Sequence, residues 1–249
     1  MALKVVVLGG TRGIGRAVAR RLAARADRVH LLGRDPGELA RCAVDLQARM
    51  PAPGAPITYS SCDLERPETF ASALEDAGRA LDGFDTVVVT AAMFATQPAL
   101  EADLTYTRRL LTVNFTNTIL FCEHARTRLL QHGGGTLCVF SSVAGDRSRK
   151  PVILYGAAKS GLSAYLEGLD HKFRSAGLKT VCVKPGFVRT AMTDGLPEPP
   201  FATDADQVAH TAVRAIDRGT PVVYAPPIWA LVMMVIRWLP RAVMRRVGF

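Results

Sequence analysis

The sequence predicts an α/β protein built on a single doubly wound, parallel, seven-stranded sheet with helices on both faces and a C-terminal amphipathic helical extension. Three observations carry this expectation. Short β-branched apolar runs alternate with helical patterns along most of the chain. The runs are apolar throughout, which implies burial on both faces and hence a parallel sheet between helical layers. A glycine-rich turn joins the first run to the first helix, and right-handed crossovers then wind the remainder.

The elements follow in order. "KVVVLGG" (4–10) is the first strand, followed by the helix "GRAVARRLAARA" (15–26). "RVHLLG" (28–33) precedes a helix over 36–50, and "ITYSSCD" (57–63) precedes a helix opened by Pro67, which sits in a first turn where its missing N–H costs nothing. "FDTVVVTAA" (84–92) leads to a long helix over about 100–131, and "GTLCVFSS" (135–142) to a helix over about 155–176. "KTVCVKPG" (179–186) precedes a helix near 204–218, and "PVVYAP" (221–226) is the seventh strand. Irregular segments at 143–154 and 187–203 both follow strands, so both lie at the carboxyl edge, where such sheets bind ligands. The expected division is a core domain over 1–225 and an extension over 226–249.

The net charge of +9 points to an anionic partner, either a phosphorylated cofactor or a lipid surface, or else reflects an arginine-rich composition alone. No nucleic-acid reading motif is present. Five cysteines without a C-x-x-C pair read as core residues of a protein in a reducing compartment, and the histidines have no ligand spacing, so no metal is expected. The first strand begins at once, without room for a signal peptide, and no apolar run reaches the ~18 residues of a membrane span. A cytoplasmic location follows, with peripheral contact at the inner face of the cell membrane where the extension allows it.

"LGGTRGIGRAV" places Gly9, Thr11, Arg12, Gly13, Ile14 and Gly15 between strand and helix. Glycines permit a tight turn, and the helix N-terminus offers free N–H groups to a pyrophosphate. Tyr155 and Lys159 stand four apart on a helix and so share a face. An ammonium beside a phenol favours the phenolate, which lowers an ordinary pKa near 10. Tyr155 can then trade a proton with a carbonyl oxygen, to which Ser142, at a strand end, can donate a hydrogen bond.

Together these motifs resemble the short-chain dehydrogenase/reductase family, whose Rossmann-type fold covers nearly the whole chain. The resemblance implies an NAD(P)-dependent oxidoreductase with Asn114, Ser142, Tyr155 and Lys159 as its catalytic set, Asn114 supporting a proton path and Lys159 also holding the nicotinamide ribose. It assigns the adenine contact to Asp63, beside Leu64, although Asp63 also reads as a helix cap. It assigns the nicotinamide half to Pro185, Gly186, Val188 and Thr190 in "KPGFVRT". Two departures appear. Gly9-Gly10 replaces Thr-Gly, and "TAAM" (90–93) replaces N-N-A-G, so that Ala91 keeps the small residue while Ala92 must avoid positive φ. Where NAD-preferring members carry an acid, this chain has Gly33 followed by Arg34. Arg12 and Arg34 could clamp a 2′-phosphate, which favours NADP(H) over NAD(H), unless both are solvated or Asp35 pairs with Arg34.

The loop "DRSRK" brings Arg147, Arg149 and Lys150 between Ser142 and Tyr155, an expected site for an anionic substrate group or else a solvated basic loop. The ending "PPIWALVMMVIRWLPRAVMRRVGF" is apolar and cationic and is split by Pro240. It reads as a segment lying on an anionic bilayer with Trp229 and Trp238 at the headgroups, or as a dimer or packing helix. Within the family, this ending and "YGAAKSGLSAYLEGL" resemble the decaprenylphosphoryl-2-keto-erythro-pentose reductases, the second half of an arabinose epimerase. That resemblance implies a lipid-linked keto-sugar substrate, NADH as reductant, a flavin-dependent oxidase partner and cell-wall biosynthesis. The family implies a homo-oligomer. A generic ketone or 3-ketoacyl reductase and a non-catalytic nucleotide sensor remain the alternatives.

Overall fold

The computed structural model describes residues 2–51 and 54–246. Its main sheet has seven parallel strands in the order β3-β2-β1-β4-β5-β6-β9. These are β1 (Lys4–Leu8), β2 (Arg28–Gly33), β3 (Thr58–Ser61), β4 (Thr86–Val89), β5 (Gly135–Phe140), β6 (Leu178–Pro185) and β9 (Val222–Ala225), and β7 (Val188–Arg189) and β8 (Thr203–Asp204) form a small separate parallel pair. The order reverses between β1 and β4, which places the ligand crevice above their carboxyl ends.

Alternation along the strands divides the core. Val5 and Val7 face α1 (Gly13–Ala24), α2 (Pro36–Ala48) and α8 (Ala205–Arg218), whereas Val6 and Leu8 face α3 (Phe70–Leu81), α6 (Thr118–Gln131) and α7 (Ile153–Phe173). The five cysteines are all buried thiols.

The long helix expected over 100–131 is broken. It comprises α4 (Gln97–Ala102), α5 (Leu104–Leu111), a π-helical stretch (Thr112–Asn117) and α6. Asp103 ends α4 and caps α5, its carboxylate accepting from the amides of Thr105 and Tyr106. A carboxylate offered to free amides starts a new helix inside an otherwise helical pattern.

The C-terminal extension forms α9 (Ile228–Trp238) and α10 (Arg241–Arg246), separated at Leu239–Pro240. No helix of the described residues is long and apolar enough to cross a membrane. Trp229, Met233 and Ile236 project from one face of α9 into a third cluster with Val143. This corrects the headgroup assignment of Trp229, which is buried, whereas Trp238 is 84% exposed.

Candidate active site

The dinucleotide turn is close-packed. Gly9 has φ +91°, and a Cβ on Gly15 would lie 2.2 Å from the Gly9 carbonyl oxygen and 2.4 Å from Thr90 Oγ1. Only bare backbone fits. α1 begins at Gly13 with no side-chain cap from Arg12 and no acid in its first turn. Its free amides and positive dipole end therefore suit a pyrophosphate. Thr11 accepts at its carbonyl from the Cys42 thiol, and Ile14 packs against the core. A Cβ on Gly13 would lie 3.5 Å from the Thr190 side chain, so the glycine turn and the segment after β6 meet across one crevice. A dinucleotide fits these residues.

At the adenosine end, Gly33 closes β2. Asp35 caps α2 by accepting from Glu38 N at 3.1 Å, so its carboxylate serves that helix. Arg12 reaches Glu38 only at 3.9 Å and Arg34 reaches Glu65 only at 4.0 Å, with side chains 76% and 70% exposed. Pairs so long and open contribute little, and both guanidiniums stay available. Asp63 accepts from Glu65 N at 3.0 Å in a local turn. The carbonyl of buried Leu64 accepts from Asn117 Nδ2 at 2.6 Å. Ala91 N donates to Leu8 O, and Ala92 has no positive φ, as the loss of glycine requires.

At the chemical end, Ser142, Tyr155 and Lys159 come together. Ser142 follows β5 by two residues, its hydroxyl accepting from Ala144 N at 3.1 Å and donating to Pro185 O at 3.5 Å. Phe94 packs edge-on against Tyr155. Lys159 Nζ donates to Phe140 O at 2.8 Å and lies 5.8 Å from the Tyr155 ring centre. Burial pushes the Tyr155 phenol up to about 12, with the Ser142 hydroxyl pulling the other way. Burial pushes Lys159 down to about 8. The expected acidification of Tyr155 by its lysine is thus corrected. Desolvation penalises both charged forms, and the buried Lys159 ammonium donates to the Phe140 carbonyl of β5.

Asn114 is buried in the π-helical stretch. Its side chain accepts from Met93 N and donates to Met93 O, both at 2.7 Å. A π-turn at a functional position is common because it redirects one side chain out of register. Here it fixes the loop after β4 beside Phe94 and Tyr155.

The cationic loop divides its labour. Arg147 donates to Leu239 O at 2.8 Å and Lys150 donates to Arg245 O at 2.7 Å, so both hold the C-terminal helices by their carbonyl ends. Expecting all three cations to meet a substrate anion requires correction for these two. Arg149 keeps a buried Nε with no hydrogen-bond partner among the described residues, and burial lowers its pKa.

Several supporting residues escaped the sequence reading. Gln97 Oε1 accepts from Leu154 N at 3.1 Å, which fixes the start of α7 beside Tyr155. Asp146 accepts from Lys184 Nζ at 2.5 Å and from Tyr224 Oη at 2.6 Å. A lysine inside the apolar strand "TVCVKP" was the available signal, since a buried ammonium must find a hydrogen-bond acceptor or an opposite charge. α9 covers this edge, where a Cβ on Gly186 would lie 2.0 Å from Trp229 Nε1.

The fold and the crevice that gathers these residues are those of a dinucleotide-dependent oxidoreductase. The family model described as short chain dehydrogenase matches residues 3–200. The uncharacterized oxidoreductase Rv2073c of Mycobacterium tuberculosis is 32% identical over 248 residues, covering 98% of this chain and 97% of that protein. Carbonyl reductase family member 4 of Danio rerio is 30% identical over 219 residues, covering 88% and 85%. A solved short-chain dehydrogenase/reductase of Mycobacterium ulcerans superposes with a TM-score of 0.83 at 21% identity over 99% of this chain and 100% of that one. The chain belongs to the short-chain dehydrogenase/reductase family and is an NAD(P)-dependent oxidoreductase.

Proposed function

We propose that the chain is an NADPH-preferring reductase of a keto sugar carried on a polyprenyl phosphate, working at the cytoplasmic face of a membrane. The observation that carries this reading is the outer face of α9. Ile228, Leu231, Met234, Val235 and Trp238 are all exposed there, although the opposite face of the same helix is packed beside the site. Arg237, Arg241, Arg245 and Arg246 stand exposed along the same segment. An apolar stripe flanked by arginines suits an anionic lipid surface.

Bound nicotinamide supplies the hydride to the substrate carbonyl. Tyr155 gives its phenolic proton to the carbonyl oxygen, Ser142 donates a hydrogen bond to that oxygen, and Lys159 as ammonium stabilises the phenolate left behind. Burial keeps the phenol protonated but makes it the weaker acid, so its proton transfer depends on Ser142 and the Lys159 ammonium to stabilise the phenolate. Arg149, placed between Ser142 and Tyr155 in sequence, is the loop cation left to meet the substrate phosphate. Pro185 and Val188 wall the nicotinamide side, and Thr190 and Gly186 complete it. Reduction of a keto sugar calls for an enzyme that forms the ketone, for which a flavin-dependent oxidase is the expected partner. The working form is expected to be a homo-oligomer.

The test is NADPH oxidation by the purified protein on anionic vesicles. A polyprenyl-phosphate 2-keto-pentose should be reduced far faster than water-soluble ketones. Leu231→Ser/Trp238→Ser should lose vesicle binding and that advantage while keeping cofactor affinity. This is cleaner than deleting 228–249, which would strip Trp229 from Gly186. Equal turnover of simple ketones without vesicles would instead favour a generic carbonyl reductase, a reading supported by the similarity to carbonyl reductase family member 4. If Tyr155→Phe left the protein's response to nucleotide intact and no turnover existed to lose, a sensor role would stand.

A further inference from the structure

We infer that Asp146 is a positioning residue for Ser142, acting through a buried ion pair with Lys184. The inference rests only on membership of the reductase family and is independent of which carbonyl compound is reduced.

Asp146 lies four residues after Ser142, at the end of the short 3-10 turn Val143–Gly145. Gly145 N donates to Ser142 O and Asp146 N donates to Val143 O, so the serine and the aspartate ride on one compact turn. The Asp146 carboxylate is 3% exposed and the Lys184 side chain 11% exposed. Lys184 immediately precedes Pro185, whose carbonyl receives the Ser142 hydroxyl. The second carboxylate oxygen takes the hydroxyl of Tyr224, which is Lys184's register partner on β9. One carboxylate therefore joins the turn that carries Ser142, the strand that offers Ser142 its acceptor, and the strand that leads into the C-terminal helices.

This pair is an improbable stability device. Buried ion pairs seldom outperform apolar side chains of the same volume, because desolvation offsets their attraction. What such a pair does supply is direction, since a lysine and a carboxylate satisfy each other in few geometries. Ser142 is held within its own turn by the Ala144 amide, but it reaches the neighbouring strand only by a long bond to Pro185 O. The ion pair closes the loop around it from the far side. Without it, the turn and the Pro185 segment can slide against one another, and Ser142 loses its aim at the oxygen that accepts the proton from Tyr155.

The experiment compares Asp146→Asn with the double variant Asp146→Asn/Lys184→Met. The single variant strands a buried ammonium and should lose much of its thermal stability. The double variant removes both charges and should recover most of the melting temperature. NADPH oxidation is read with an uncharged ortho-quinone as probe, together with NADPH affinity and a crystal structure of the double variant. The expected result is recovered stability, NADPH affinity unchanged within about twofold, and kcat still lower by about 10- to 100-fold, the cost of a small misplacement of a reacting group. The crystal structure should show Ser142 Oγ moved from Pro185 O. Recovery of kcat along with stability, or Ser142 found in place in that crystal, overturns the inference and leaves the pair structural.

Discussion

Replacing Trp229 by alanine should release the C-terminal helices while leaving the sheet intact. The indole is 8% exposed and packs with Met233, Ile236 and Val143, with Phe201 edge-on at 6.1 Å between ring centres. A buried aromatic covers about 150–250 Å², and at about 25 cal/mol per Å² its loss costs roughly 4–6 kcal/mol. One part of that is already forfeited, because Trp229 Nε1 is buried without a partner among the described residues. An unsatisfied buried N–H costs about 1–3 kcal/mol, so the net contribution of the side chain is about 3 kcal/mol. That shifts the docking of α9 by roughly a hundredfold, at about 1.4 kcal/mol per tenfold.

Amide hydrogen exchange reads this directly. Protection over 229–239 should fall about a hundredfold in Trp229→Ala while amides of β1, β4 and β5 keep theirs, since local opening and global unfolding are separate events. Trp229→Phe supplies the control. It keeps most of the apolar area and removes the orphan N–H, so exchange should stay within about tenfold of the parent protein, a change of under about 1.4 kcal/mol. Unchanged exchange in the alanine variant would mean that α9 is not held by this contact. Release of α9 by phenylalanine would mean that the N–H, and not the packing, secures it.

Three further outcomes are expected. Arg12→Ala and Arg34→Ala should each weaken NADPH binding by about 10- to 100-fold, the 1.5–3 kcal/mol of a charged hydrogen bond, and barely affect NADH in parallel titrations; equal losses for both cofactors would deny them the 2′-phosphate. Lys159 is held down at about 8 in the folded protein, so its ammonium is present below that pH and kcat/KM for reduction should decline as pH rises through it, a limb that Lys159→Arg should move upward. His30 is buried between Thr58 and Ser60 and is lowered to about 4 by desolvation, so it folds neutral. A depressed folded pKa gives stability that is present above 6.5 and is lost as pH falls toward 4, about 3 kcal/mol by linkage, and urea melts at pH 7 and 4.5 should show this loss diminished in His30→Gln.

The residues that announced themselves in the sequence did so through local rules. Valine runs marked β1 and β4 because burial on both faces leaves no polar position, and the glycine turn was legible because one bare loop before a helix has few uses. Tyr155, Lys159 and Ser142 were legible as a set for the same reason, since spacing and strand order fix them together. What failed to show is of two kinds, a local feature that has several readings and a contact with partners distant in sequence. A single capping carboxylate at Asp103 breaks a helix whose periodicity runs on without interruption, and no local pattern distinguishes it from a surface acid. The sequence of α9 suits both a segment lying on a bilayer and a packing helix; it has two apolar faces, and periodicity cannot say which one meets the core, whereas Val143, Phe201 and the bare surface of Gly186, all distant in sequence, receive Trp229. The protonation of Tyr155 likewise depends on the folded surroundings. The helix spacing correctly set the lysine beside it, but the sign of its pKa shift belongs to the depth of the recess, which the folded loops around Phe94 and Ser142 determine. The motif thus specifies which groups meet, whereas burial shifts their protonation, and here desolvation favours the protonated phenol of Tyr155 and opposes the ammonium of Lys159.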